Sequence, residues 1–526
     1  MNPGAPTPAV DPRGLRGYGL PLACLLFGAA AVLAFAPFRA WPMAVVSLTG
    51  FAWCLERTPT ARRAAIAGFA FGLGYFLTGV SWIYASMHDF GGMSLPVAAF
   101  ATVFFCSYLA LFPAAAGWVT RTLPAPRGAR LALVFPASWA LAEWARGWVF
   151  TGFPWLAAGY SQSPASPLAG YSAVLGIYGV TLAIALSAGL LAWWSPWARR
   201  ARTGNSARQI RALLLHPALG LLAALVGVGW GLAQVAWTRP AGEPLTVSLI
   251  QGNIEQELKW RPESARATLD TYLRLTLASK SRLILLPETA LPLFSVDVPR
   301  EYFEILARHA DANGGDILLG VPEYADGSPP SFYNSVMSYG RSPTQIYRKY
   351  HLVPFGDYFP RWFFITWVMN TLQIPMSDFS RGEPVQKPLA VAGQRVAVNI
   401  CYEDVFGEEI IRQLPEATLL ANFTNDAWWG DSIASEQHLQ MSQMRAQETG
   451  RYMLRATNTG VTAIIDERGR IRERAPQFIS TALDATAQGF SGGTPFVYWG
   501  NWAFLAVAGA MVAGALLKLP RRRRRE

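Results

Sequence analysis

An α-helical membrane bundle of about eight spans, joined to one α/β domain, is the fold class this sequence predicts, on three observations. The 526 residues are 52% hydrophobic and only 15% charged, well short of the about 25% charge of ordinary soluble domains. Seven apolar stretches, at 18–38, 40–56, 64–84, 92–119, 129–150, 170–195 and 212–238, precede residue 240, and an eighth covers 498–519. Each is near or above the ~20 residues a helix needs to cross a bilayer. Between the seventh and eighth lies a polar, mixed region long enough for one substantial domain.

Taken in order, the second stretch is short, and the fifth is interrupted by Pro136, Glu143, Arg146 and Gly147. Gly68 and Gly72 in the third have the spacing of a helix-packing motif. The expected organisation is a membrane domain over 1–240, an α/β domain over 243–492, a closing span over 498–519 and an Arg-rich tail over 520–526. Arginines choose the orientation. Arg13 and Arg16 precede the first span; Arg57, Arg62 and Arg63 follow the second, Arg121, Arg127 and Arg130 the fourth, and Arg199, Arg200, Arg202, Arg208 and Arg211 the sixth. The intervening short loops carry almost none. Basic loops face the cytoplasm, so seven crossings carry 243–492 to the far side and the eighth returns the tail. The net charge of +11 is therefore read as membrane orientation and not as a nucleic-acid surface.

Within 243–492, strand-like runs occur at 246–250, 283–286, 317–320, 396–400, 418–421 and 461–465, and helix-like stretches at 262–278, 300–312, 407–413 and 435–455. Buried strands alternating with helices predict an α/β domain. Three polar residues follow strand-like or extended runs. Glu288 stands in Leu285-Leu286-Pro287-Glu288, where open α/β sheets place ligands, although a strand-end glutamate also caps helices. Lys349 stands in Tyr347-Arg348-Lys349-Tyr350 among aromatic neighbours, or equally in a basic surface turn. Cys401 follows Val398-Asn399-Ile400 and opens a short helix, where a thiol gains reactivity, unless it is an inert buried cysteine. Cys24, Cys54 and Cys106 all lie in apolar stretches, so Cys401 has no disulfide partner in the polar region.

Together these segments resemble the carbon–nitrogen hydrolase (nitrilase) superfamily, whose site is a Glu, a Lys and a Cys on an αββα sandwich. The flanking spans narrow the resemblance to the membrane-embedded branch, the apolipoprotein N-acyltransferases. Gln251-Gly252-Asn253-Ile254, Lys259-Trp260, Phe332-Tyr333-Asn334-Ser335 and Thr424-Asn425-Asp426-Ala427-Trp428-Trp429-Gly430 also match. The resemblance implies a bacterial cytoplasmic-membrane enzyme, monomeric and without a cofactor, with its catalytic domain on the periplasmic side. It takes an acyl chain from a phospholipid, phosphatidylethanolamine being the expected donor, and passes it to the N-terminal amine of a diacylglyceryl-apolipoprotein. Glu288 is then the base, Cys401 the nucleophile and Lys349 an oxyanion partner. Asp357, where the family usually has glutamate, orients Lys349, and Tyr402 and Glu403 shape the site. Trp260 is implied in substrate binding. The apolar run 361–369 suggests that Trp362 and Phe363 admit lipid by dipping into the outer leaflet.

Rival readings fit less well. His88, His216, His309, His351 and His438 show no paired ligand spacing, so no metal is expected. A transporter would show polar, broken spans near the midplane, which only the Glu143–Arg146 stretch suggests. An anchored amidase would share the three site residues and differ in the acyl group it carries.

Overall fold

The structure, a computed structural model, describes residues 12–202, 215–259, 261–327, 330–358 and 378–517. The first part of the chain is helical: α1 (Pro12–Ala31), α2 (Pro42–Leu55), α3 (Ala61–Gly79), α4 (Leu95–Thr122), α5 (Phe135–Arg146), α6 (Ser172–Arg202) and α7 (Pro217–Gln234). Phe51, Phe71 and Trp139 interlock at its centre, with ring centroids 4.8 to 5.8 Å apart. The Gly68/Gly72 spacing marks a real close approach. A Cβ on Gly68 would lie 2.2 Å from the Pro113 carbonyl oxygen, and one on Gly72 2.7 Å from the Ala110 Cα. Glycine lets α3 and α4 touch backbone to backbone.

Among the described residues three helical segments are long and apolar enough to span a bilayer: Leu95–Thr122, Pro167–Ser195 and Pro217–Gln234. A fourth is formed if Ala61–Gly79 and Trp82–Phe90, bent by 55°, count as one. Gly19–Ala34, Pro42–Leu55 and Trp502–Leu517 are apolar but shorter. The 14 residues of α2 reach about 21 Å at 1.5 Å per residue, less than a core of roughly 30 Å. The fifth apolar stretch departs most from the expected span. It begins with a π turn over Arg130–Val134, continues as α5, and breaks after Arg146 into short 3-10 turns. Glu143 and Arg146 serve that break. The Glu143 carboxylate accepts from the Trp139 indole (3.0 Å), Thr181 Oγ1 (2.8 Å) and the Ala158 N–H (3.0 Å), while Arg146 donates to the Trp155 carbonyl (2.7 Å) and to that of Phe153. Irregular backbone at membrane depth requires such partners.

The following strands are β1 (Thr238–Pro240), β2 (Leu245–Gln251), β3 (Leu283–Leu286), β4 (Asp316–Ala325), β5 (Ser331–Gly340), β6 (Ile346–Arg348), β7 (Leu389–Val391), β8 (Gln394–Ile400), β9 (Leu419–Thr424), β10 (Met453–Thr457), β11 (Ala463–Ile465), β12 (Ile471–Arg474), β13 (Thr481–Ala487) and β14 (Phe490–Gly492). They form two six-stranded sheets, ordered β13-β2-β3-β4-β5-β6 and β12-β11-β10-β9-β8-β7, with β1 and β14 paired apart. Each sheet has a parallel centre, β2-β3-β4 in one and β8-β9-β10 in the other, flanked by antiparallel strands. One core cluster mixes both sheets, joining Leu249, Leu285 and Leu318 to Val398, Ala421 and Leu454. The outer face of the first sheet is covered by α8 (Pro262–Ala278) and α9 (Arg300–Ala312), that of the second by α10 (Ala434–Thr449). This is the αββα sandwich expected. Helix α11 (Trp502–Leu517) closes the chain against α5 and α6.

The predicted helix over 435–455 ends early. Gly450 takes φ +63° and stops α10 at Thr449, and residues 453–457 become β10, parallel to β9. A left-handed glycine just past a helix is its usual stop. Helix α10 is polar yet buried almost throughout, because its side chains satisfy the broken backbone of the membrane part. Gln437 accepts from the Trp155 indole (2.7 Å) and donates to the Gly79 carbonyl (3.1 Å). Gln440 accepts from the Ala36 N–H (3.0 Å), and Glu448 from the Ile177 N–H (2.7 Å).

Candidate active site

The carboxyl ends of the central strands converge on one site. Strand β3 runs through Pro287 into Glu288, β8 into Cys401, β9 into Thr424 and Asn425, and the short β6 delivers Lys349. Open α/β sheets bind ligands at such ends. Cys401 is held at φ +52° and Thr289, beside Glu288, at φ +43°, a left-handed conformation that non-glycine residues adopt at a cost and that clusters at functional sites.

Lys349 is the hub. Its ammonium, 2% exposed, lies 2.7 Å from Asp357 Oδ2 and 3.6 Å from Glu288 Oε1. Burial works against the charge, but the Asp357 and Glu288 carboxylates outweigh it and hold the lysine protonated well above its ordinary range. Asp357 also accepts from the Val353 N–H at 2.8 Å. The shorter side chain thus reaches Lys349 because its own turn folds back toward it.

Glu288 is buried and oriented by both oxygens. Oε1 accepts from Asn334 Nδ2 at 2.8 Å and Oε2 from the Asn425 N–H at 2.9 Å. The Cys401 thiol is pushed up from its usual value by burial and then by the Glu288 charge, while Lys349 pulls it the other way. The sequence suggested a thiol made acidic by its helix terminus; in the folded site burial wins. At rest Cys401 is therefore held as a thiol rather than a thiolate.

Glu403 ties the Cys401 turn to the segment bearing Lys349. Its Oε2 accepts from the Ile400 N–H (2.7 Å) and Tyr347 Oη (3.0 Å), and its Oε1 from the N–H groups of Tyr350 (2.7 Å) and His351 (3.0 Å). One carboxylate so fixes both the Cys401 turn and the segment bearing Lys349. Burial pushes Glu403 up to about 7 against these donors. Tyr402 reaches the other way, donating to the Gly152 carbonyl at 3.2 Å, with its ring 6.3 Å from that of Phe153.

Glu288, Lys349, Cys401, Asp357, Tyr402 and Glu403 are thus brought together. Trp260, Trp362 and Phe363 lie outside the described residues. The Trp428-Trp429 pair splits: Trp428 is 41% exposed, whereas Trp429 packs on Trp82 (5.2 Å) and Trp155 (5.3 Å). Sequence reasoning assigned no role to Asn334, Asn425 or Lys259, or to a buried chain behind Cys401. In that chain Asn422 donates to the Cys401 carbonyl (3.3 Å) and accepts from Arg455 (2.6 Å), which also pairs with Asp426 (2.9 Å). Asn425 had one signal available, the strand-end position it shares with Glu288 and Cys401. Among the described residues no group of three or more His, Cys, Asp or Glu could hold a metal.

Comparison with known proteins agrees with this architecture. Residues 27–190 match the model of the apolipoprotein N-acyltransferase N-terminal domain, and residues 246–489 that of the carbon-nitrogen hydrolases. The chain is 51% identical to an apolipoprotein N-acyltransferase of Nitrosomonas europaea over 515 residues, covering 97% of this chain and 100% of that one. It is 44% identical to one of Ralstonia nicotianae, covering 96% and 94%, and 43% identical to one of Chromobacterium violaceum, covering 99% and 98%.

Proposed function

Because this chain belongs to the apolipoprotein N-acyltransferases, we propose that it acylates the terminal amine of diacylglyceryl-cysteine lipoproteins by ping-pong transfer through a Cys401 thioester, with a phospholipid as donor. The reading rests above all on Lys349, set between Asp357 and Glu288 beside a nucleophile that is protonated at rest. In the first half-reaction Glu288 takes the Cys401 proton and the sulfur attacks the sn-1 ester carbonyl. Lys349 and a backbone N–H of the turn opened by Cys401 hold the oxyanion. The ester C–O bond then breaks, Glu288 returns the proton to the leaving oxygen, and a lysophospholipid departs. In the second the acceptor amine attacks the thioester, Glu288 takes its proton, the C–S bond breaks, and the proton restores the thiol. The ester becomes an amide by way of a thioester reactive enough to acylate an amine.

We assign Asp357 to orienting Lys349, and Tyr402 and Glu403 to shaping the turn. Trp260, Trp362 and Phe363 are assigned to substrate on their sequence context alone. We also read the chain as a monomeric eight-span enzyme of the bacterial cytoplasmic membrane with the sandwich on the periplasmic side, a topology that the apolar stretches and basic clusters of the sequence support. Phosphatidylethanolamine is the proposed donor. The test is transfer of a labelled acyl chain from phospholipid vesicles to a diacylglyceryl-cysteine peptide. Glu288→Gln and Lys349→Met should each slow it by about a hundredfold or more. Transfer within tenfold of wild type in both variants would remove these roles, and a short polar acyl group trapped on Cys401 would make the protein an anchored amidase.

A further inference from the structure

Lys259 ends the four-residue turn Gln256–Lys259 and is 2% exposed. Its ammonium donates to the Glu288 carbonyl oxygen at 3.2 Å, and among the described residues no carboxylate forms an ion pair with it. An ammonium has three donors and a full charge, and an interior site normally supplies an anion for it. The turn is nonetheless fixed in place. Gln256 Oε1 accepts from Asn425 Nδ2 at 2.9 Å, and Asn458 Oδ1 accepts from the Ile254 N–H at 2.8 Å. The residue that places Lys259, Asn425, is the one whose N–H binds Glu288 Oε2.

We propose that Lys259 is a further positioning residue of the acyl-transfer site: a second interior cation that offsets the Glu288 and Asp357 charges and so lets the Cys401 thiolate form. This rests on the acyl-transfer reading above. Glu288 and Asp357 carry two negative charges, and Lys349 alone balances one. With Lys259 these four charges sum to zero at rest, and the negative charge of a Cys401 thiolate is then added to a balanced set. Without Lys259 the thiolate forms in a buried site of net negative charge. No carbon bond changes and nothing is oxidised in this step.

The ionisable groups acting on Lys259 are Glu288 and Cys401; Glu255, Glu257, Arg261 and Glu263 nearby are solvent-exposed. Burial depresses Lys259 to about 8, against the upward pull of Glu288 and Cys401. Its charge is therefore present at neutral pH and lost as pH rises through about 8.

The experiment is alkylation of Cys401 by iodoacetamide in the full-length protein from about pH 6 to about pH 9, read by peptide mass, in wild type, Lys259→Met, Lys259→Gln and Lys259→Arg. Cys24, Cys54 and Cys106 are fully buried and serve as internal controls. Removing one nearby opposite charge shifts a thiol by about one unit or more, so the Met and Gln variants should react about tenfold more slowly at neutral pH and the Arg variant should recover the rate. Rates within about threefold of wild type in folded Met and Gln variants would overturn the proposal. If neither neutral variant folds, wild type against Arg decides. The wild-type profile should flatten above about pH 8 while the Arg profile continues to rise, and superimposable profiles would overturn it. Fatty-acyl loading of wild-type Cys401 from phospholipid vesicles is measured on the same samples. Its absence would sink the proposed function and leave the thiol titration to be judged by itself.

Discussion

Glu403 shows how much one side chain organises here, since it accepts four hydrogen bonds from two segments far apart in sequence. Glu403→Gln keeps the shape and loses acceptor capacity, leaving buried donors unmet at about 1–3 kcal/mol each. A lowered denaturation midpoint together with slower Cys401 acylation is the expected result, and an unchanged midpoint would contradict it. The same residue has a pH signature. Burial raises its folded value from 4.5 to about 7, so its contribution to stability is full below about 4.5 and is lost as pH rises through about 7. Melting at about pH 5 and about pH 8 should show the lower midpoint at the higher pH. Asp357→Asn removes the 2.7 Å partner of Lys349 and leaves Glu288 as its counter-ion. Thioester formation should then fall by about a hundredfold, and a loss below fivefold would remove the orienting role. At this scale the sequence exposed the residues that end strand-like runs. Asn334 gave no such sign, because it lies inside β5 and meets Glu288 only once the sheet is paired.

At the scale of elements, α10 bears the contact between the sandwich and the membrane helices. Gln437→Leu removes the partners of the Trp155 indole and the Gly79 carbonyl together. Thermal stability in detergent should drop by several degrees and proteolysis near α10 should quicken, and wild-type values for both would contradict the docking role. The α3–α4 contact makes a second case. Gly68→Leu puts a side chain where 2.2 Å separates even a Cβ from the Pro113 oxygen, so the folded yield should fall sharply. Periodicity found α8 and α9 with their observed limits, since each has an apolar and a polar face. It overran α10, because a buried polar helix has no apolar stripe to mark its end and β10 continues in residues that suit either state. The edge strands β6, β7 and β12, each of three or four residues, are too short to show a period.

Across the whole molecule, the break after α5 lies against the polar site. Tyr402 contacts Gly152 and Phe153, so the residue after Cys401 rests on the membrane part. The helices of the first part of the chain were visible as apolar stretches, but a stretch does not show where its helix breaks. Glu143 and Arg146 looked like features of a transport path and instead cap irregular backbone. The Arg-rich loops predict the orientation: impermeant thiol labelling of single cysteines placed near 205 and near 326 should mark only the second in intact spheroplasts. Trp362→Ser with Phe363→Ser should slow phospholipid use while leaving the melting curve intact, and an unchanged rate would remove the lipid-entry role. The central claim is that Cys401 carries the acyl chain. Its most direct test is intact mass of the purified protein after incubation with phospholipid vesicles. One added fatty-acyl mass is expected on wild type, absent in Cys401→Ser and discharged by a diacylglyceryl-cysteine peptide. Peptide acylation at the wild-type rate by Cys401→Ser, with no adduct on the wild type, would contradict it.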